Sequence, residues 1–545
     1  MNPPDESKFP PFRLELCILT VVLILAAFLR FYRADGYGLW SDEFVTLMLA
    51  SKSSWLDLAR TCFRIPQPVP PLYFLAEKLV VDLRGVDEVS LRLVSVLASL
   101  ATVGLAYAIA RKLCGFEVAL TGALLLAVNS TQIVYAQNAR PYAFCLMLSC
   151  TSVLFLTNWL RTGRLLPKLG FVVSTVLLLY SHYVFALLLI VQNLYVWWWI
   201  RRMRLISGHQ ERPPSVGWKT WLRLQVLVAA CLLPLLPQLW NAVASRQVLN
   251  WASGQAAYVL RVENLFFFLP PTWLFLSAAV TLTLAAIALY WKGAGERSWQ
   301  AKPVSGNGLI LFAVWYLTPL IVCLLITLLG DVHVFVERYL LLASVPAAMI
   351  VPATAFYLVD RKWARLFLGT YLMIYVISEP TRFWQQKGLF SQGVPGGNEW
   401  RETMRQLGRP DFAGPLLLFQ SPFIESNQLD FDSSPERFDY LASPLRSFYL
   451  REYRPRFCML PVHWWIEDPK HRQFKQELKK RIKLEGELVL LSTAEFWSHF
   501  EAWLKEEFSG EVQVVGRFRS TGSLRLNRLK VTSDVPRLGS PVETD

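Results

Sequence analysis

The sequence predicts an α-helical polytopic membrane protein with about eleven transmembrane helices and a C-terminal soluble α/β domain. Three observations predict it. Hydrophobic residues make up 54% of the 545 residues and collect in blocks. Each block is near the length of about 20 residues that a helix needs to cross the hydrocarbon core. The blocks stop after Arg382, where the composition becomes that of a soluble domain. Trp and Tyr often stand at block ends, as at Trp197, Trp199, Trp291 and Trp363, where amphipathic rings settle at the membrane–water boundary.

In chain order the expected spans are 13–32, 89–111, 117–135, 141–160, 168–182, 183–200, 221–240, 271–291, 308–329, 338–359 and 364–379. The first block is followed by no small-x-small cleavage pattern and reads as a retained signal anchor. The fifth and sixth spans share an almost continuous apolar run, broken at Ser181-His182-Tyr183. Cations gather in alternate loops: Arg111 and Lys112, Arg161 and Lys168, Arg201 and Arg202, Lys292 and Arg297, Arg361 and Arg365. These loops are expected on the cytoplasmic side. An odd span count then gives a cytoplasmic N-terminus and a periplasmic or extracellular C-terminal domain, in a multi-pass protein of the inner (plasma) membrane.

The transmembrane domain is expected over 1–389, with a long first extracytoplasmic loop, 32–88. That loop holds the apolar stretch Phe44–Ala50 and the prolines Pro66, Pro68, Pro70 and Pro71. Amphipathic helices lying on the outer membrane surface are expected there. Residues 390–545 alternate strand and helix signals. Leu416–Phe419, Phe457–Val462, Leu488–Leu491 and Val512–Val515 read as strands; Glu399–Leu407, Gln473–Ile482 and Ala494–Phe508 read as helices. The chain has no G-x-G-x-x-G and no P-loop, so no nucleotide is assigned.

The formal net charge is +14, and much of the excess lies in the short loops. No basic helix with interleaved aromatics is present, so nucleic acid is not an expected partner. The eight Cys form no C-x-x-C pair, and Cys17, Cys231 and Cys323 sit inside apolar blocks, as small buried hydrophobes do. With six His and no H-E-x-x-H, a divalent metal is chemically possible but unsupported, and no cofactor is identified.

Four segments carry candidate chemistry. In GLWSDEFVTLMLA, Asp42 and Glu43 follow the first span, where adjacent carboxylates can position or deprotonate a hydroxyl. They also suit the first turn of a helix capped by Ser41, and a helix N-terminus keeps Asp42 ionised. In YAQNARPY, Arg140 joins two spans at the outer face and can hold a phosphate or snorkel to headgroups. In VERYLLLASVP, Arg338 offers a second phosphate clamp and Tyr339 a hydrogen bond to phosphate or sugar, or the two form an interfacial anchor. In YSHYVFALLL, His182 and its neighbour Tyr183 are polar between apolar runs, as a site or as satisfied structural residues. Tyr73 and Lys78, from PPLYFLAEKLV, complete the candidate substrate-binding set, and Lys78 and Arg92 also suit helix anchoring.

Carboxylate and phosphate-binding cations near one membrane face suit a sugar carried on a lipid phosphate. The phosphate is a competent leaving group, so one base on the acceptor and cations for the departing charge suffice. At this point the chain resembles the GT-C superfamily of multi-span glycosyltransferases, nearest to bacterial relatives of dolichyl-phosphate-mannose–protein mannosyltransferases and of the lipid A aminoarabinose transferase. The resemblance rests on LWSDE, PPLYFLAEKLV, SLRLVSVLASLATVGLAYAIARKLCG, YAQNARPYAF, SHYVFALLL and ERYLLLASVP, in that order over the first 350 or so residues. It implies an inverting transfer from a polyprenyl-phosphate-linked donor to a hydroxyl on a lipid, polysaccharide or protein acceptor. It gives Asp42 the role of base and Glu43 a supporting one. Two departures stand out. Val69 and Pro70 precede Pro71 where many relatives have His before Pro-Pro-Leu-Tyr, and Asn138 stands where many have Glu. Both weaken a metal role. A membrane transporter or lipid flippase is the competing reading, although no matching halves are visible.

Overall fold

The computed structural model describes residues 12–36, 38–65, 68–207, 216–244, 306–330, 334–391, 397–407, 415–421, 457–461, 469–508, 512–519 and 524–531. The expected eighth span, 271–291, lies outside them. The helices in order are α1 (Phe12–Phe31), α2 (Ser41–Ala50), α3 (Trp55–Arg64), α4 (Leu72–Arg84), α5 (Glu88–Cys114), α6 (Phe116–Val128), α7 (Ser130–Ala136), α8 (Tyr142–Thr162) and α9 (Leu165–Leu179). A 3-10 turn (Tyr183–Ala186) leads to α10 (Leu187–Ser207), α11 (Trp218–Cys231), α12 (Leu236–Ala244), α13 (Gly306–Leu329), α14 (Glu337–Leu340), α15 (Ser344–Leu358), α16 (Arg361–Ser391) and α17 (Gly397–Leu407). The chain divides into two compact units, Met1–Ala34 with Leu49–Lys387, and Asp35–Met48 with Gly388–Asp545.

The first unit is a helix bundle. Among the described residues, six helical segments are long and apolar enough to cross a membrane, and up to eight if each of two bent pairs forms one span. The chain is thus a multi-pass helical membrane protein. Leu14, Leu16, Val21, Ile24 and Phe28 of α1 are exposed, an arrangement suited to lipid rather than water. The central helix α5 has 27 residues, about 40 Å at 1.5 Å per residue, and packs against α1, α4, α6 and α8. Asp87 caps its start by accepting from Ser90 N–H at 2.8 Å. Gly115 ends it at φ 95°, a left-handed conformation that lets the chain double back into α6. α6 and α15 approach closely at Gly122, where a Cβ would collide with the Met349 side chain.

Two expected spans are broken. The span expected over 117–135 splits at Asn129 into α6 and α7, inclined by 58°. The helix pair at 218–231 and 233–241, where 221–240 was expected, bends by 41° beside Pro234. The break at Asn129 frees the last carbonyls of α6 and the first N–H groups of α7, and an unsatisfied backbone group at membrane depth costs several kcal/mol. Arg30, 0% exposed, answers the first set. It donates Nη1 to Ala127 O at 2.9 Å, Nη2 to Leu126 O at 3.0 Å and Nε to Ser99 Oγ at 2.8 Å. Glu379 of α16 answers the second by accepting from Ser130 N–H, and the Asn129 side chain accepts from Gln132 N–H at 2.8 Å. A cation thus sits at the C-terminal end of α6 and an anion at the N-terminal end of α7, each matched to its helix dipole.

The span expected over 168–182 is the shorter α9, 15 residues ending at Leu179. The span expected over 364–379 is the middle of α16, 31 residues long. Loop cations expected on one side meet at one end of the bundle. Arg111 pairs with Glu15 at 2.8 Å, Arg361 with Glu117 at 2.9 Å, and Lys112 donates to Asn158 at 2.7 Å.

In the first loop, α3 is amphipathic, with Leu58 and Cys62 buried while Trp55 and Leu56 are exposed. By contrast, every residue from Glu43 to Ala50 of α2 is buried. Its stretch VTLMLA is apolar nearly all round, and such a helix buries itself instead of lying along a surface.

The second unit holds a five-stranded sheet. Its strands are β1 (Leu416–Gln420), β2 (Phe457–Leu460), β3 (Glu487–Thr493), β4 (Val512–Arg519) and β5 (Leu524–Val531), in the order β2-β1-β3-β5-β4. β1 runs parallel to β2 and β3, and β5 is antiparallel to β3 and β4. The α/β expectation holds, with one strand more than foreseen. β5, LRLNRLKV, is half Arg, Asn and Lys, so its apolar signal is weaker than that of the buried β1. Helices α18 (Pro469–Leu484) and α19 (Ala494–Phe508) close a core of Leu418, Leu490, Leu478, Phe496, Phe500 and Trp503.

Candidate functional site

At the bundle end away from the Glu15 and Glu117 ion pairs, the helix ends of the first unit bring four of the sequence-selected residues together. Arg140 lies in the connection from α7 to α8. Its N–H donates to Asn138 O at 2.8 Å, closing a tight turn, and Pro141 follows at φ −65° as the cap of α8. Ser95 Oγ of α5 donates to the Arg140 carbonyl at 3.2 Å. Arg338 and Tyr339 lie in the single turn α14, with the Arg338 guanidinium 5.4 Å from the Tyr339 ring centroid. Gln132 Nε2 donates to Ser344 Oγ at 2.6 Å, which ties α7 to the segment just after Arg338.

His182 stands between them. Its ring centroid is 5.5 Å from that of Tyr142 and 6.0 Å from that of Tyr339. Nδ1 accepts from Val184 N–H at 3.3 Å, capping the 3-10 turn. Arg140 and Arg338 both lie near enough to act on the ring electrostatically. A nitrogen that accepts an N–H carries no proton of its own, so the ring is neutral. With Nδ1 accepting, the proton sits on Nε2, so the ring presents a donor. Two guanidiniums and an imidazole N–H form a donor-rich corner suited to an oxyanion.

The other candidates divide. The Tyr73 hydroxyl donates to Glu77 Oε1 at 2.5 Å and lies 3.1 Å from Ser95 Oγ, one step from the Arg140 carbonyl. Burial and then the Glu77 charge raise its pKa, so it stays a phenol. Glu77, 0% exposed, is a residue that the sequence reading missed. Its signal is an acid one helical turn after Tyr73, within hydrogen-bond reach of the phenol. Tyr183 has a buried hydroxyl with no hydrogen-bond partner in the structure. Lys78, 3% exposed, donates to Lys52 O at 2.7 Å and to Asp82 Oδ1 at 2.9 Å, so it anchors the first loop instead of joining the His182 cluster. Arg92 donates to Ala34 O at 2.6 Å in the same anchoring manner.

Asp42 and Glu43 belong to the second unit, at the start of α2. Glu43 is 0% exposed. Its Oε2 accepts from Trp40 N–H at 3.2 Å, while its own N–H donates to Trp40 O at 2.9 Å. The Glu43 carboxylate takes up the Trp40 N–H as the acidic half of a capping box does, and the backbone bond closes the turn that carries Asp42. The helix begins at Ser41 itself, so Trp40 takes the cap position that the sequence suggested for Ser41. Asp42 is only partly buried and sits where the helix dipole favours a carboxylate. Among the described residues, no three His, Cys, Asp or Glu side chains converge as metal ligands.

Residues 68–209 match the family described as dolichyl-phosphate-mannose-protein mannosyltransferase. That stretch contains Tyr73, Lys78, Arg140, His182 and Tyr183, and the match bears out the resemblance to GT-C glycosyltransferases. No curated protein matches the chain by sequence. Among solved structures, ArnT from Cupriavidus metallidurans in the apo state aligns at 13% identity and TM-score 0.48, covering 95% of this chain and 98% of that one. The same protein bound to undecaprenyl phosphate aligns at 12% identity and TM-score 0.47, with coverage of 95% and 98%. An oligosaccharyltransferase from Archaeoglobus fulgidus tethered with an acceptor peptide aligns at 11% identity and TM-score 0.49, covering 95% of this chain and 74% of that one.

Proposed function

We propose that the chain transfers a sugar, with inversion, from a polyprenyl-phosphate-linked donor to a hydroxyl acceptor at the extracytoplasmic face of the membrane. The observation that carries this reading is the grouping, around the His182 ring, of the Arg140 turn through Tyr142 and of Arg338 through Tyr339. The family matched over 68–209 supports it, being named for a sugar on a dolichyl phosphate. The acceptor oxygen attacks the anomeric carbon, and the bond from that carbon to the phosphate oxygen breaks. The electron pair leaves with the phosphate, whose growing charge falls to Arg140, Arg338 and the His182 N–H. The acceptor proton goes to Asp42, with Glu43 holding the turn. Tyr339 and Tyr73 border the phosphate and sugar.

The reading places the N-terminus in the cytoplasm and treats 1–389 as the transferase domain and 390–545 as an extracytoplasmic one. Cysteines introduced into the tail are then labelled by impermeant reagent on intact cells; labelling only after permeabilisation overturns the orientation. Glycan and lipid profiling of a deletion strain tests the reaction, because the missing linkage names sugar and acceptor together. An unchanged glycan and lipid profile rejects it. Arg140→Ala is expected to weaken binding of undecaprenyl phosphate by about 10- to 100-fold, the loss of one charge-assisted hydrogen bond. Unchanged affinity removes Arg140 from the phosphate site.

A further inference from the structure

We infer that Trp400 and Arg401, in the first helix after the spans, are positioning residues for the turn that carries Asp42. The inference rests on Asp42 being the base, but its geometry does not. Segment 35–48 and the C-terminal residues form one compact unit, and α17 holds that segment at two points. Near its start, Arg401 Nη2 donates to the Asp35 carbonyl at 2.8 Å. Nine residues further on, the Phe44 ring meets the Trp400 indole edge-on, with centroids 6.1 Å apart and planes at 84°. Asp42 lies two residues before Phe44.

The grip is continuous with the sheet. Trp400 meets Phe419 of β1 edge-on at 5.6 Å, and β1 is hydrogen-bonded on both sides, to β2 and β3. Phe44 and Phe419 are 0% exposed and Trp400 1%. The indole N–H makes no hydrogen bond, so shape alone seats the ring, and a smaller aromatic preserves most of the contact. Thr403, Met404 and Leu407 are buried along the same helix. A short Asp side chain has little reach of its own, so its carboxylate goes where the backbone of α2 goes. A displacement near 1 Å at a reacting group costs on the order of 100-fold in rate. The C-terminal domain is therefore a structural part of the base's address.

The test uses the full chain in nanodiscs. Amide hydrogen exchange is followed over 41–50, with 88–114 as an internal reference, for Trp400→Ala, Trp400→Phe, Arg401→Ala and Arg401→Lys. Trp400→Ala is expected to speed exchange across 41–50 at least tenfold with the reference unchanged, and Trp400→Phe to restore protection. Arg401→Ala, at an exposed hydrogen bond that leaves no core cavity, is expected to give a smaller rise that Arg401→Lys partly reverses. Turnover falls with the protection that is lost, while affinity for undecaprenyl phosphate stays. Unchanged exchange over 41–50 in both alanine variants overturns the inference. Full activity of Asp42→Asn removes the base assignment instead and leaves the exchange result standing.

Discussion

Asp42→Asn is expected to lower sugar transfer by about 10²- to 10⁴-fold, the usual worth of a positioned general base. Yield and thermal stability should stay at wild-type level. The amide keeps the size of the carboxylate and occupies the same partly buried place in the first turn of α2. The reciprocal hydrogen bonds of that turn run between Trp40 and Glu43, so the substitution does not break them. What it removes is the ability to take a proton from the acceptor hydroxyl, together with a charge that favours the helix N-terminus by less than about 1 kcal/mol. Transfer measured with extracted polyprenyl-linked sugars, normalised to folded protein, separates the two effects. Wild-type turnover in this variant would place the base elsewhere.

Arg30→Leu is expected to destabilise the bundle by about 3–5 kcal/mol, the cost of breaking a buried charged network. Total stabilities are of the order of 5–15 kcal/mol, so the visible result is a sharp fall in monodisperse protein and in melting temperature. The leucine fills much of the same space, but the carbonyls of Leu126 and Ala127 and the Ser99 hydroxyl lose their donor at once. Arg365→Leu is the matched control. That residue pairs with Glu117 but remains 60% exposed, and such pairs contribute about 0–1 kcal/mol. Equal melting temperatures for Arg30→Leu and Arg365→Leu would mean that the break at Asn129 does not depend on its cation.

Particular residues show how much the sequence reveals. Apolar blocks of full length gave α5, α8, α13 and α15 because a helix facing lipid and neighbours needs little else. The break at Asn129 was not legible, since 117–135 reads as one span, and its stability comes from Arg30 and from Glu379, 249 residues beyond Ser130. No local pattern carries that information. The cluster of Arg140, His182 and Arg338 was legible because costly residues at helix ends stand out. The buried Glu77 was not, since an acid beside Lys78 on a helix reads as an ordinary surface pair. The link between Phe44 and Trp400 was equally hidden, being a contact between aromatics in segments that look independent.

The broken third span also constrains the order of synthesis. Its first half can settle as soon as α1 and α5 are in place, because Arg30 and Ser99 precede it in the chain. Its second half meets the Glu379 carboxylate only after the whole bundle has been translated. A ribosome therefore delivers the Arg140 turn long before the group that fixes its helix exists. Late-truncated products that end before α16 should carry every cation of the cluster and still fail to assemble it.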